Sequence, residues 1–154
     1  MEISSQIKNF WREFCDVSGT NPETPYDFWY FGNTSEMARR LGELVLKGDK
    51  RATTTLLESA QKFDDAPSVG DHSIVTDFEE NPMCIIQTTE ISTLPFDKVD
   101  AEYAFVEGEG DKSLYYWREG HRRFFTNDAA ENGLEFNEKS LVICQKFRLL
   151  YPNK

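Results

Sequence analysis

The apolar pattern of this sequence changes at Gly48, and this change constrains the fold more than any other feature. Before Gly48, apolar residues recur three or four positions apart, on one face of a helix: Met37, Ala38, Leu41, Leu44 and Val45. After it, residues 52–57 (ATTTLL) are a short, β-branched run that is typical of a strand. Gly48 stands where a helix commonly ends in the left-handed conformation that glycine adopts easily. The chain must therefore combine helices with strands.

The same patterns predict the other elements. Helices are predicted at 4–17, 34–47 and 113–126, with a short one within 100–108, and strands at 52–57, 72–77, 83–90 and 140–149. The segment EENP between the second and third strands predicts a hairpin. Because hairpins outnumber regular strand–helix–strand units, the predicted class is α+β, a small, mainly antiparallel β-barrel flanked by helices.

The length of 154 residues predicts a single domain, 1–154, in which residues 1–27 form an N-terminal helix and loop. The three cysteines are odd in number and widely spaced, which disfavours a disulfide framework or a structural zinc site. The N-terminus is amphipathic and charged rather than a signal peptide, and no apolar stretch is long enough to span a bilayer. We therefore expect a cytoplasmic protein without a membrane partner.

The charge of the chain limits its partners. The net charge is −10, so broad binding to duplex DNA is disfavoured by repulsion between two polyanions. Residues 39–51, however, hold five basic and two acidic residues, a local net charge of +3. This distribution favours a small anion or nucleotide over a long wrapped strand.

Lys50 and Thr53 follow Gly48 and are candidates for a catalytic pair. On a straight strand their spacing would put them on opposite faces, so they converge only if Lys50 lies in the turn that Gly48 opens. A lysine at a cleft rim that lost part of its hydration would have a lowered pKa and could act as a base or bind an oxyanion, and a threonine hydroxyl could attack a substrate. From spacing alone, an exposed lysine beside strand threonines is the simpler interpretation.

Glu107 and His121 are further candidates. Glu107 lies in an acidic run near the end of the short predicted helix, and it would orient the Lys50 ammonium if the two side chains met. His121 shares an apolar helix face with Trp117 and Phe125, where a half-buried, hydrogen-bonded histidine is the commoner case. With two histidines and scattered cysteines, the sequence predicts no metal site and no cofactor, although its many carboxylates could hold Mg²⁺ or Mn²⁺ loosely.

Three segments of the sequence resemble the ASCH domain family of the PUA-like superfamily. They are FGNTSEMARRLGELVLKGDKRAT, which ends in a Gly-x-Lys-x-x-Thr signature, VGDHSIV, and LPFDKVDAEYAFVEGEGDKSLYYWREGHRRFF, which is similar to the longer branch of the family. The region that resembles the family covers about residues 28–149. The resemblance implies a PUA-like barrel whose cleft is lined by the Gly-x-Lys-x-x-Thr loop and recognises RNA or nucleosides. It also implies that some relatives cleave single-stranded RNA and that a shorter branch hydrolyses N4-acetylcytidine.

Carried over by motif, the catalytic residues of that shorter branch fall on Lys50, Thr53 and Glu107. The candidates for substrate contact are Phe31, Gly48, Arg51, Thr55, Trp117 and His121. Thr55 stands where the shorter branch often has arginine, and the insert at 108–126 is absent from that branch. We therefore expect an RNA- or nucleoside-binding domain with hydrolytic activity on single-stranded RNA or an N4-acylated cytidine. The alternative is a non-catalytic, regulatory module that binds RNA or a modified nucleoside.

Overall fold

The computed structural model describes residues 3–152, in which there are five α-helices, five strands and one short 3-10 helix. In chain order the elements are α1 (Ser5–Ser18), β1 (Tyr26–Trp29), α2 (Ser35–Lys47), β2 (Ala52–Leu56), α3 (Leu57–Phe63), β3 (His72–Thr76), β4 (Pro82–Pro95), the 3-10 helix (Phe96–Lys98), α4 (Ala101–Glu107), α5 (Leu114–Glu131) and β5 (Leu141–Tyr151). Within residues 3–152 no helix has both the length and the apolar character needed to cross a bilayer.

The five strands form one open, mixed sheet in the order β1-β3-β4-β5-β2. β1 pairs with β3 in parallel, whereas the pairs β3–β4 and β2–β5 are antiparallel. β3 and β4 are the predicted hairpin. The α+β class is confirmed, but β1 and β2 are free edges of the described sheet, so the predicted closed barrel is not confirmed.

The elements predicted from long apolar patterns are present, with boundaries that differ by a few residues. Two short elements, β1 and α3, were outside the prediction; they have four and seven residues. The single-domain assignment stays a prediction, since the chain divides into two compact units.

The first unit comprises the residues up to Gly48, the segment Gly70–Gln87 and the residues from Arg148 onward. Its core joins α1 to β3 and β4 through Ile7, Trp11, Phe14, Cys15, Ile74 and Ile85. In this unit Thr34 caps α2 by accepting a hydrogen bond from the Met37 N–H. α2 ends at Gly48, whose φ of 86° is the left-handed conformation expected there.

The second unit comprises Asp49–Val69 and Thr88–Phe147. Its core is formed by β2, α4, α5, β5 and the 3-10 segment through Ala52, Leu56, Phe96, Val99, Tyr103, Ala104, Trp117, Phe125, Val142 and Cys144. This unit also contains all three candidate catalytic residues, Lys50, Thr53 and Glu107.

Backbone contacts at Arg51 and Gly108 fix the segment before β2 against the end of α4. The Arg51 N–H donates to the Val106 carbonyl over 2.9 Å, and the Arg51 carbonyl accepts from the Phe147 N–H over 3.0 Å. Gly108 ends α4 with a φ of 76°, and a Cβ at this position would overlap the Asp49 carbonyl oxygen. Only glycine allows the two backbones to approach so closely.

We predict that Gly108→Ala destabilises the protein much more than Gly133→Ala. Both glycines have a left-handed φ, 76° and 70°, but a Cβ on Gly133 would meet no atom within 4 Å. Gly133→Ala should therefore cost only the backbone strain, about 1–2 kcal/mol. Gly108→Ala adds the overlap with Asp49 and should cost at least about twice as much. Denaturant unfolding of both variants measures the difference, and equal losses would show that the close approach at Gly108 does not hold the fold.

Candidate functional site

Glu107, at the end of α4, is a buried carboxylate with 1% of its surface exposed. Its Oε1 accepts hydrogen bonds from the Thr54 hydroxyl over 2.7 Å and from the Trp117 indole over 2.6 Å. Its Oε2 accepts from His121 Nε2 over 3.0 Å and from Lys50 Nζ over 3.4 Å. Burial alone would raise the pKa of Glu107, but the charges of His121 and Lys50, with the hydrogen bonds, bring it well below its ordinary value. Glu107 is therefore ionised at neutral pH.

Lys50 contacts two carboxylates and is itself only 1% exposed. Its Nζ donates to the Ala52 carbonyl over 2.8 Å and to Glu109 Oε2 over 2.7 Å, in addition to Glu107. Burial alone would lower the pKa of Lys50, but the two carboxylates outweigh this effect and raise it. Both interpretations of Lys50 from the sequence are thus wrong: the side chain is not exposed, and its pKa is raised rather than lowered, because Lys50 is buried together with its counter-charges.

His121, on α5, lies between two acceptors. Its Nδ1 is 2.8 Å from the Trp117 carbonyl oxygen and its Nε2 is 3.0 Å from Glu107 Oε2. Since a carbonyl and an ionised carboxylate only accept, this geometry fits a ring that is protonated on both nitrogens. Burial alone would lower the pKa of His121, but Glu107 raises it above the ordinary value. His121 also stacks on the Trp117 ring, with 4.2 Å between the centroids.

Tyr103 links this centre to β2 and is buried beside it. Its hydroxyl donates to the Thr53 carbonyl over 2.8 Å and lies 3.1 Å from the Thr54 hydroxyl oxygen. Burial is the main reason that the pKa of Tyr103 is raised well above its ordinary value, and Glu107 adds to the effect. Tyr103 is therefore a neutral donor that fixes β2 against α4.

Lys50, Glu107, Glu109 and His121 form what we call the ionic cluster. Two cations and two anions make it electrically balanced. The exposed fractions of the side chains are 1% for Lys50, 2% for Glu107, 12% for His121 and 21% for Glu109. Solvent or a ligand therefore reaches the cluster at Glu109 and His121.

Glu107, Glu109 and His121 are also the residues that could hold a metal ion. Each offers one ligand atom, and these atoms lie within 4.8 Å of one another. Carboxylate and imidazole ligands suit several divalent ions. However, the Lys50 ammonium already contacts both carboxylates and supplies a positive charge there. A metal ion would compete with Lys50, so the arrangement fits an ion-pair network better than a metal site.

The structure brings together four of the nine predicted site residues: Lys50, Glu107, Trp117 and His121. The remaining five lie elsewhere or contribute only backbone. Arg51 is exposed and forms hydrogen bonds through its backbone. The side chains of Thr53 and Thr55 lie on the less buried face of β2. Phe31 packs on Trp29 in the first unit, and Gly48 is the exposed residue that ends α2.

The threonine that contacts Glu107 is Thr54, whereas Thr53 was the predicted catalytic threonine, paired with Lys50. Side chains alternate along a strand, and Ala52, Thr54 and Leu56 are the buried residues of β2. Ala52 and Leu56, the apolar residues two positions before and after Thr54, were the signal that could have shown that the Thr54 side chain points inward. Glu109 was also missed, because an acidic run in the sequence does not show which carboxylate turns inward.

A pocket of about 220 Å³ borders Tyr103 in the same unit. Lys98 and Lys146 line it together with acidic side chains that include Asp100 and Glu102. Among the described residues, its lining includes no member of the ionic cluster. The pocket is therefore a separate surface feature with mixed charge.

Comparisons with known proteins agree on one family. A family model described as "ASCH domain" matches residues 27–151. The crystal structure of an ASCH domain from Lactobacillus crispatus JV V101 is 31% identical, with a TM-score of 0.88, and the match covers 98% of each chain. Protein EF3133 from Enterococcus faecalis V583 is 34% identical, with a TM-score of 0.83, over 94% of this chain and 87% of that one. No curated protein sequence matched the chain.

We predict that His121 makes the protein less stable as the pH rises. Its pKa in the fold lies above the ordinary 6.5, so its contribution is fully present below about 6.5 and is lost as the pH rises through the folded-state pKa. His72, the other histidine, has a pKa that burial and Arg148 lower, so its contribution has the opposite sign.

The measurement is denaturant unfolding of the wild type, His121→Gln and His72→Gln between about pH 6 and 9 at constant ionic strength. In the wild type, the free energy of unfolding should fall as the pH rises through the pKa of His121. This fall should be absent in His121→Gln and present in His72→Gln. If wild type and His121→Gln show the same pH dependence, His121 is not held as the imidazolium.

Proposed function

Because the chain belongs to the ASCH domain family, whose members are generally RNA-binding and PUA-like, we propose that it binds single-stranded RNA or a cytidine-like nucleoside at the ionic cluster. The observation that supports this site is the pair of cations, Lys50 and His121, held in fixed positions by Glu107. Fixed cations can recognise an anionic or strongly polar ligand without reorganising. The position of the cluster, reached through Glu109 and His121, fits a short segment or a single nucleotide.

The overall charge supports the same class of ligand. With a net charge of −10, the protein repels a long polyanion, and its favourable contacts with RNA must be local. Single-stranded RNA can present one flexible phosphate or base to such a site, which a regular duplex cannot do as easily. The proposed location is the cytoplasm, where the free thiols Cys15, Cys84 and Cys144 would stay reduced.

Hydrolysis is a second candidate function, which the contact between Lys50 and Glu107 favours. In an amidohydrolase, Lys50 would have to take a proton from Thr53 or from water, and its raised pKa makes it a poor base. In a ribonuclease, the Lys50 ammonium would instead stabilise negative charge on the phosphate, and the His121 imidazolium could protonate the leaving oxygen. The ionisation of the cluster therefore favours cleavage of single-stranded RNA over hydrolysis of an acylated cytidine.

We predict that the protein binds single-stranded RNA more tightly than duplex DNA of the same length at physiological salt. His121→Gln should weaken binding of RNA by about tenfold, the value of a hydrogen bond to a charged group. His72→Gln, which changes the histidine of the first unit, is the matched control and should leave the affinity unchanged. The measurement is a titration with labelled RNA and duplex DNA, together with cytidine and N4-acetylcytidine, and with melting curves for each protein. Tighter binding to duplex DNA, or equal affinities for the two variants, would contradict the proposal.

The same samples separate binding from hydrolysis. If the wild type cleaves single-stranded RNA and His121→Gln forms the products about 10²–10⁴-fold more slowly, His121 is a positioned proton donor. Release of cytidine from N4-acetylcytidine would favour the amidohydrolase over the ribonuclease. Binding of RNA without any product would favour the non-catalytic, regulatory module.

A further inference from the structure

Glu109 is the member of the ionic cluster that solvent reaches most readily. It lies in the segment between α4 and α5, between Gly108 and Gly110, which both have a positive φ. Its Oε2 is 2.7 Å from Lys50 Nζ, a shorter contact than the 3.4 Å between Lys50 and Glu107. Its side chain is 21% exposed, whereas that of Lys50 is 1% exposed. The Glu109 carboxylate therefore occupies the solvent side of the ammonium.

The charge balance of the cluster depends on this carboxylate. With Glu109 in place, Lys50 and His121 are balanced by Glu107 and Glu109. If the Glu109 side chain turned into solvent, the cluster would keep two cations and one carboxylate and so would lack one negative charge. A missing counter-charge at a buried site is unfavourable. An anion that takes the place of the carboxylate therefore favours the state with Glu109 turned away.

From this geometry we propose that the position of the Glu109 carboxylate is a binding site for one phosphate group, which displaces that carboxylate and binds the Lys50 ammonium beside His121. The exchange is one anion for another, so the balance of the cluster is kept. A phosphate oxygen accepts the same short, charge-assisted hydrogen bond that the carboxylate accepts. This inference rests on the proposed RNA-binding function, which supplies the phosphate. It extends that function by naming the phosphate group as the part of the RNA that is bound.

In the proposed exchange the Glu109 side chain rotates while its backbone stays in place. The backbone of the segment is anchored, because the Lys112 N–H donates to the Glu109 carbonyl over 2.9 Å and Lys112 Nζ lies 3.2 Å from Asp49 Oδ1. A Cβ on Gly110 would overlap the Tyr116 ring, so this backbone is also closely packed. Glu109 therefore acts as an internal competitor for the phosphate site. The apparent affinity for phosphate equals the intrinsic affinity multiplied by the fraction of molecules in which the Glu109 carboxylate is turned away.

The test is the substitution Glu109→Gln, which keeps the size of the side chain and removes the competing charge. Glu135→Gln changes the net charge equally at an exposed residue of the same unit and serves as the control. Each protein is titrated at constant ionic strength with inorganic phosphate and, separately, with a short single-stranded RNA. Glu109→Gln should tighten both interactions by about tenfold, whereas Glu135→Gln should change them by less than about twofold.

A measurement on the wild type keeps the test independent of how the variant folds. Saturating phosphate should shift the NMR signals of the His121 ring and leave those of His72 unchanged. A shift of neither ring would overturn the phosphate site, and so would unchanged or weaker phosphate binding by Glu109→Gln with a normal melting temperature.

The two ligands separate this inference from the proposed function. If all three proteins bind RNA with equal affinity and Glu109→Gln gains nothing for phosphate, the phosphate site is wrong and the RNA-binding proposal stands. If none binds RNA but Glu109→Gln still binds phosphate more tightly, the phosphate site is supported and the proposed RNA ligand is wrong.

Discussion

A carboxylate loses its hydration when it is buried, and the Glu107 carboxylate is stable in the fold only because four donors replace the water. Thr54 belongs to β2, Trp117 and His121 belong to α5, and Lys50 precedes β2. The donors thus come from separate parts of the second unit and converge on the end of α4. Each bond ties one of these parts to α4, so the arrangement of the unit and the ionisation of its centre depend on the same group.

The ionisation states decide what chemistry this centre can support. The pKa of Glu107 is lowered and those of Lys50 and His121 are raised, so each group is held in its charged form. Glu107 and Lys50 are therefore poor bases, whereas the two cations are effective partners for an anion, and a protonated histidine can donate a proton. For this reason we propose recognition of RNA, with cleavage at a phosphate as the second candidate, rather than a mechanism in which lysine removes a proton. In the proposed exchange, an anion would reach the cations by displacing the partly exposed Glu109 carboxylate.

The sequence predicted those helices and strands in which a regular spacing of apolar or β-branched residues is visible. It identified three long helices, four strands and the change at Gly48, because each of these extends far enough to show a spacing. It also identified Lys50 and Glu107 as residues whose meeting would matter, although 57 positions separate them. It could not predict that Lys50 is buried, because burial depends on contacts between distant segments. It assigned Thr53 rather than Thr54, since the motif gave a spacing while the alternation of β2 decides which side chain points inward.

The central claim is that Lys50 and Glu107 stabilise the protein as a balanced pair, and a double-mutant cycle with Lys50→Met and Glu107→Gln tests it most directly. Each single substitution leaves a buried, uncompensated charge and should cost about 3–5 kcal/mol of unfolding free energy. The double variant leaves Glu109 and His121 balanced, so it should be clearly more stable than the sum of the two losses predicts. Losses that add within about 0.5 kcal/mol would contradict the claim, because they would mean that the two charges do not depend on each other.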